Sequence, residues 1–213
     1  MTDRPILFSG PMVRAILAGR KTVTRRVVRK PARATALSWG EAMAEAVRRG
    51  WRGAQKRGPE DGIEWRCSCP YGATGDRLWV REAHCPLDMP HSPWPDLPHR
   101  CGGDGQTAHY REGFDRTAPR WRPSIHMPRW ASRLTLEIVS VRIERLQAIT
   151  NQEARAEGVE PDDIALEDGG ERGPDYRGPF RDLWDQINGE RPGCSWAESP
   201  WVWRIEFRRL ETA

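Results

Sequence analysis

Apolar residues along this chain follow two kinds of spacing, and each kind predicts a different element. Where apolar and polar residues alternate, strands are predicted. These predicted strands cover residues 5–9, 22–28, 77–81, 134–143 and 201–208. Where apolar residues recur every three or four positions, or a capping-box spacing precedes them, helices are predicted. These predicted helices cover residues 10–19, 38–50, 150–158 and 179–189.

The order of these elements favours an α+β fold. Strands and short helices are mixed without regular alternation, which argues against a doubly wound parallel sheet. In the predicted strand over 134–143, the apolar alternation shifts by one residue at Val139, and this shift is typical of a β-bulge. Bulged strands curve, as the strands of a barrel must. The sequence therefore predicts a small mixed β-barrel flanked by short helices.

The length of 213 residues fits a single domain, which is predicted to cover 1–213. Two stretches are predicted to interrupt this domain as insertions, at about 31–72 and 84–123. The second stretch is rich in Pro, Gly and His, and it is predicted to be a long loop with one strand near His109 and Tyr110.

The composition indicates an ordered protein without a membrane-spanning segment. Hydrophobic residues make up 38% of the chain and charged residues 30%, so the apolar segments suffice for a core and global disorder is excluded. No apolar run is long enough to span a membrane, and the N-terminus lacks the regions of a signal peptide. We therefore expect a soluble, cytoplasmic protein without a membrane partner. The 11 Trp residues are interpreted mainly as core residues.

The 5 Cys residues are irregularly spaced, which does not fit a secreted disulfide framework. With neighbouring histidines, four of them form the set from which a zinc site would be drawn. This set is Cys67, Cys69, His84, Cys85, His91, His99 and Cys101. Cys-x-Cys is not the usual paired spacing of zinc ligands, and no second well-spaced pair follows. The prediction is a protein without a metal or other cofactor, with zinc binding as the alternative.

The net charge of +4 is unevenly distributed. The first 35 residues contain many arginines and lysines, and Asp3 is the single acidic residue among them. Acidic residues are concentrated instead between positions 151 and 190. This asymmetry indicates an anionic partner that contacts one face of the protein.

The run AILAGRKTVTRR, residues 15–26, joins the end of a predicted helix to a basic predicted strand. Together with residues 75–78, residues 150–159 and the last strand, it resembles the ASCH domain of the PUA-like superfamily. These pieces cover roughly a third of the chain. The segment 121–130 and the Trp-rich C-terminus resemble the longer phage- and prophage-associated ASCH proteins. The resemblance implies a PUA-like mixed β-barrel.

One branch of this family hydrolyses the amide of N(4)-acetylcytidine and related acylated cytosines with a Lys, a Thr and a Glu. By resemblance, these three residues fall on Lys21, Thr24 and Glu157. The resemblance therefore implies an amidohydrolase that acts on a modified nucleoside without a cofactor. This chain is about twice as long as the members of that branch and has a large central insertion.

The chemistry of these three residue types supports the same site. A Thr hydroxyl becomes a nucleophile when a base takes its proton, and a Lys amine serves as that base when burial or nearby positive charge lowers its pKa. Glu157 would orient Lys21 and handle protons on the leaving amine. Residues three apart on a strand face opposite sides, so Lys21 and Thr24 share a pocket only if Lys21 lies in the turn before the strand or if the strand is bulged. The alternative is that Lys21 interacts with the carbonyl end of the preceding helix and Thr24 is an ordinary strand residue.

Basic and aromatic residues suggest a surface for substrate or nucleic acid, because arginines bind phosphate and aromatic rings stack on bases. The predicted binding residues are Arg20, Arg25, Arg26, Trp121, Arg122, His126, Arg129 and Trp130. PUA-like domains are often RNA binders, so the resemblance implies RNA or a modified nucleoside as partner. Two alternatives to the amidohydrolase therefore stay open: a non-catalytic RNA- or DNA-binding module, and a ribonuclease. The same arginines and tryptophans would also occur at a strand edge where arginine side chains lie over an apolar surface of the protein.

Overall fold

The computed structural model describes residues 2–28, 69–116, 120–162 and 173–210. The predicted helix over 38–50, most of the predicted insertion at 31–72, and Cys67 lie outside these residues. The described strands are β1 (Asp3–Leu7), β2 (Val23–Val27), β3 (Arg77–Arg81), β4 (His84–Leu87), β5 (His99–Cys101), β6 (Thr107–Tyr110), β7 (Thr135–Arg145) and β8 (Trp201–Leu210). The described helices are α1 (Gly10–Leu17), α2 (Asn151–Ala156) and α3 (Arg177–Asn188). The mixed α+β class predicted from the sequence is confirmed.

The main sheet has five strands in the order β1-β3-β7-β8-β2. β1 pairs in parallel with β3, and the other neighbours are antiparallel. No ladder joins the edge strands β1 and β2 among the described residues, so the sheet is open there rather than a closed barrel. A side chain spans the gap instead, because the Arg26 guanidinium donates a hydrogen bond of 2.6 Å to the Leu7 carbonyl.

The predicted bulge in β7 is confirmed. Ile138 lies opposite Phe207 and Ser140 lies opposite Glu206, so Val139 is an extra residue without a partner in the ladder. Val139 is 44% exposed, whereas Ile138 is fully buried. The bulge lets both halves of the strand bury their apolar residues against the same core.

The core has one cluster on the sheet and another between the two later helices. Leu78, Leu136 and Ile205 are fully buried on the sheet, where Val13 and Ile16 of α1 pack against them. The second cluster joins α2 to α3 and the start of β8. Its buried members are Leu146, Ile149, Ala154, Val159, Phe180, Trp184 and Val202. These contacts hold α3 beside the N-terminal end of β8.

A second sheet of three strands, in the order β4-β6-β5, occupies much of the predicted insertion at 84–123. The sequence predicts a single strand there, near His109 and Tyr110, so the other two strands are a difference from that prediction. The Tyr110 hydroxyl donates a hydrogen bond of 2.8 Å to the Ala131 carbonyl, and the Arg133 guanidinium lies 4.1 Å from the ring centre. The small sheet is thus held by individual polar and aromatic contacts, which leave no alternating pattern in the sequence.

The helices of the described ranges differ from membrane spans in both length and composition. None of them combines the length and the apolar character that crossing a membrane requires.

Candidate functional site

Lys21 lies in the turn that connects α1 to β2. α1 is followed by Gly19, whose φ of +72° allows the chain to turn back. The backbone N–H of Lys21 donates to the Ala15 carbonyl at 3.1 Å, and β2 begins two residues later. The predicted position of Lys21 ahead of the strand is therefore confirmed, and it releases Lys21 from the alternation that governs β2.

Lys21 and Glu157 form a buried ion pair. Lys21 Nζ lies 2.7 Å from Glu157 Oε2, and the two side chains are 2% and 5% exposed. The same ammonium donates to the main-chain carbonyls of Glu157, at 2.7 Å, and Val23, at 2.8 Å. An ammonium has three N–H donors, and all three are used here. The amine is therefore fixed in one orientation.

The environment of Lys21 lowers the pKa of its side chain. Burial lowers the pKa of the Lys21 ammonium below its ordinary value of 10.5, and the Glu157 carboxylate opposes part of this shift. The positive charges of Arg26 and Arg25 lower the pKa further. A lowered pKa makes it easier for the ammonium to give up a proton, which favours Lys21 as a general base.

Glycine allows the segments that carry Lys21 and Glu157 to approach each other. Gly158 follows α2 with a φ of +83°. A Cβ at this position would lie 2.8 Å from the Cβ atoms of both Ala15 and Lys21. Only glycine fits this approach without displacing α1 or the Lys21 turn.

Arg25 holds the other side of the Glu157 carboxylate. Its guanidinium is fully buried and lies 3.1 Å from Glu157 Oε1. It also contacts Glu144 at 2.7 Å and Glu153 at 3.1 Å. The sequence predicts that Arg25 binds substrate or nucleic acid, but its charge is already committed to three carboxylates. A buried guanidinium needs such partners, so Arg25 positions Glu157 instead of offering a free cation.

Lys21, Thr24 and Glu157 line a single cavity of about 420 Å³. Thr24 lies in β2 opposite Ile205 and is 4% exposed. The structure thus brings together the three residues on which the predicted chemistry depends.

The walls of the cavity come from both edges of the main sheet and from α3. Aromatic rings contribute from three parts of the chain, and small polar side chains lie between them. The aromatic lining residues are Phe8, Tyr71, Phe180 and Trp184, and the polar ones include Ser9, Ser124 and Asn188. Aromatic walls with a few fixed polar groups are typical of sites for small planar ligands.

Two predicted binding arginines near β2 have different surroundings. Arg26 lines the cavity, and its guanidinium carbon lies 5.3 Å from the centre of the Phe8 ring. Arg20 is exposed and pairs with Glu160 at 2.6 Å. It is not among the described residues that line the cavity.

The aromatic residues predicted to stack on bases pack within the protein. The Trp121 ring contacts Phe114 edge-on, with the ring centres 5.2 Å apart. Trp130 is half-buried against the small cluster that includes Met127 and Tyr110. Both rings therefore help to fix the second sheet.

The predicted basic residues of the same segment lie on the surface. Arg122 and His126 are exposed, and Arg129 pairs with Asp3 at 3.0 Å. Of segment 121–130, Ser124 is the residue that lines the cavity. The basic residues of this segment are therefore not among the described residues that line the Lys21 cavity.

The predicted zinc set lies within the described residues except for Cys67. Within the described ranges, no group of three His, Cys, Asp or Glu residues is arranged to hold a metal ion. Cys69 and Cys85 are buried, and Cys101 is exposed.

Several residues of the cavity carry no signal in the sequence. The helix α3 is predicted from the sequence, but its position beside the gap between β1 and β2 depends on tertiary packing. Phe8, Tyr71 and Arg191 reach the cavity for the same reason. Their spacing along the chain has no relation to that of Lys21 or Thr24.

Comparison with known proteins adds no family assignment. No protein-family model matches the chain, and no curated protein and no solved structure matches it significantly.

Proposed function

We propose that this protein is an amidohydrolase that removes acyl groups from the exocyclic amine of cytosine-type nucleosides. One observation carries the proposal: residues with an amine, a hydroxyl and a carboxylate, from two stretches of chain more than 100 residues apart, line one cavity. In this proposal, Thr24 is the nucleophile, Lys21 the base, and Glu157 the group that orients Lys21 and exchanges protons with it.

The first step starts from the Lys21–Glu157 pair. Proton transfer from Nζ to Oε2 across the 2.7 Å contact converts two buried charges into a neutral amine and a carboxylic acid. The amine lone pair takes the proton of the Thr24 hydroxyl while Oγ attacks the acyl carbon. The C–N bond then breaks, and the departing exocyclic nitrogen receives a proton from the Lys21–Glu157 pair. The products are an acyl ester on Thr24 and the free aminopyrimidine.

The second step restores the protein. Water attacks the Thr24 ester and gives its proton to the Lys21 amine, and the Thr24 oxygen leaves as a hydroxyl with a proton from the same pair. Over both steps one amide and one water become one amine and one carboxylic acid. No oxidant, reductant or metal is needed for this balance.

The shape of the cavity suits a planar base. Phe8, Tyr71 and Trp184 provide apolar faces on which a pyrimidine ring can lie. A volume of about 420 Å³ falls in the range of small-ligand sites.

We further propose that the chain belongs to the ASCH branch of PUA-like proteins. Support comes from the helix, glycine and basic strand of residues 10–27, which place Lys21 at the cavity. The main sheet, with its bulge at Val139, is compatible with a PUA-like barrel whose edges approach at Arg26 and Leu7.

Turnover of N(4)-acetylcytidine tests the proposed activity. The purified protein is incubated with the nucleoside, and loss of the acyl absorbance is followed beside Lys21→Ala and Thr24→Val variants. Thr22→Val is the matched control, because Thr22 is exposed and is not among the described cavity residues. We expect turnover by the wild-type protein and by Thr22→Val, and a loss of about 1,000-fold or more in the other two variants.

The alternatives give different results in the same preparation. Salt-dependent binding to RNA without turnover or cleavage would support a non-catalytic binding module. Shortening of the RNA in the presence of a chelator would support a ribonuclease. Either outcome, with no release of the acyl group, would contradict the amidohydrolase.

A further inference from the structure

The positive charge at the cavity is only partly neutralised. Among the described residues that line it, four are basic and Glu157 is the single carboxylate. Lys21 is paired with Glu157, and Arg25 is also paired with Glu144 and Glu153 outside the cavity. The remaining positive charge comes from two other arginines.

Arg26 and Arg191 are those two arginines. Within the described part of the chain, neither of them forms an ion pair with a carboxylate. Arg26 donates one hydrogen bond to the Leu7 carbonyl, and its Nε is buried without a partner among the described residues. A buried guanidinium nitrogen without an acceptor is costly unless a ligand supplies one.

The two arginines lie toward the solvent side of the cavity. Arg191 is exposed and follows α3, where its backbone N–H donates to the Asn188 carbonyl at 2.9 Å. Arg26 is half-buried and spans the gap between β1 and β2. Lys21 and Thr24, in contrast, are 3% and 4% exposed. The reactive residues of the cavity are therefore among its most buried, and the cations without a carboxylate partner are more exposed.

A ligand that fits both sets of groups carries a reactive group for the buried residues and an anion for the two arginines. Guanidinium groups bind phosphate through paired, charge-assisted hydrogen bonds, and two of them match a doubly charged phosphate. We propose that the cavity binds a nucleoside monophosphate, with its phosphate at Arg26 and Arg191 and its base directed toward Thr24. The identity of the base as an acylated cytosine rests on the proposed function. The phosphate contact rests only on the positive charges of Arg26 and Arg191.

Calorimetric titration with cytidine 5′-monophosphate and with cytidine tests this inference without any need for turnover. We expect the monophosphate to bind at least about tenfold more tightly at low salt. Arg191→Gln should remove most of that preference. The matched control is Arg181→Gln on α3, which removes an exposed arginine paired with Asp182 and should change neither affinity.

Several outcomes would overturn the inference. One is equal binding of cytidine and its monophosphate by the wild-type protein. Another is a preference that survives in both Arg191→Gln and Arg26→Gln, with thermal unfolding used to verify that each variant is folded. Tighter binding of a short cytidine-containing RNA than of the monophosphate would assign the anion site to a polymer and overturn the mononucleotide.

The same measurements separate this inference from the proposed function. If the protein hydrolyses N(4)-acetylcytidine but does not prefer the monophosphate, only the phosphate inference fails. If it prefers the monophosphate but hydrolyses neither N(4)-acetylcytidine nor its monophosphate, only the amidohydrolase fails.

Discussion

At the scale of single residues, the buried Lys21–Glu157 pair decides what the cavity can do. Removing an ammonium and a carboxylate from water costs several kcal/mol per ion, and only close partners recover that cost. Glu157 has two such partners, since Lys21 contacts Oε2 and Arg25 contacts Oε1. The carboxylate is therefore fixed between two cations, and a proton can move between it and the amine without a change in net charge.

Removal of the Glu157 charge tests this pairing through stability. Glu157→Gln leaves the Lys21 ammonium buried without its counter-ion, so we expect the free energy of unfolding to fall by about 3–5 kcal/mol. Urea denaturation measures the change. Glu160→Gln is the control, because it removes the exposed partner of Arg20 and should have little effect. An equal effect of the two substitutions would contradict the buried pair.

The positive charge of Arg26 offers a second test, through pH. Arg26 helps to lower the pKa of Lys21, so Arg26→Gln should raise that pKa. Because the departing amine takes its proton from the Lys21–Glu157 pair, kcat/KM for N(4)-acetylcytidine should fall when high pH removes that proton, and the fall should occur at higher pH in the variant. Arg181→Gln serves as control and should leave the profile unchanged. A profile identical in Arg26→Gln and the wild-type protein would exclude Lys21 as the titrating base.

At the scale of elements, the site depends on how closely α2 approaches α1 and the Lys21 turn. The capping box of Thr150 and Glu153 fixes the start of α2, and Glu157 follows its last turn. Gly158 then passes against Ala15 and Lys21 with no room for a side chain. The distance between the amine and the carboxylate is therefore set by backbone packing.

Substitutions at two glycines with similar backbone angles distinguish the cost of conformational strain from the cost of losing a close approach. Gly158 has a φ of +83° and Gly19 a φ of +72°, but nothing lies within 4 Å of a Cβ added at Gly19. Gly19→Ala should cost about 1 kcal/mol of unfolding free energy. Gly158→Ala should cost about 2–5 kcal/mol and lower kcat about 100-fold, because it also displaces Lys21. If Gly158→Ala and Gly19→Ala had the same effects on stability and on turnover, the close approach at Gly158 would be unimportant.

The sequence predicts the elements whose residues alternate or repeat regularly. β3 is predicted at its observed bounds, and the shift at Val139 predicts the bulge in β7. β4 and β5 have four and three residues, and they lack alternation because their contacts are aromatic and polar. Short strands of this kind are determined by tertiary contacts, so the pattern of the sequence does not show them.

At the scale of the whole molecule, the cavity lies where the main sheet fails to close. β1 and β2 are its two edges, and the hydrogen bond from Arg26 to Leu7 is a contact between them. Residues of α3 complete the wall, including Trp184, whose indole N–H donates to the Cys194 carbonyl at 2.8 Å. The cavity thus lies along sheet edges whose backbone groups would otherwise be exposed and unpaired.

The candidate site is only partly predictable from the sequence. The position of Lys21 before β2 follows from the spacing of Gly19, Lys21 and Thr24. The burial of Arg25 does not follow, because it depends on carboxylates that lie more than 100 positions away along the chain. The same holds for Arg191, whose place at the cavity is set by the packing of α3.

Direct detection of the acyl intermediate tests the central claim most closely. The protein is mixed with N(4)-acetylcytidine, quenched in acid during turnover, digested and analysed by mass spectrometry. The account predicts an acetyl group on Thr24, and no such group in Thr24→Val. Release of the acyl group without any modification of Thr24, or with the acetyl group on another residue, would contradict it.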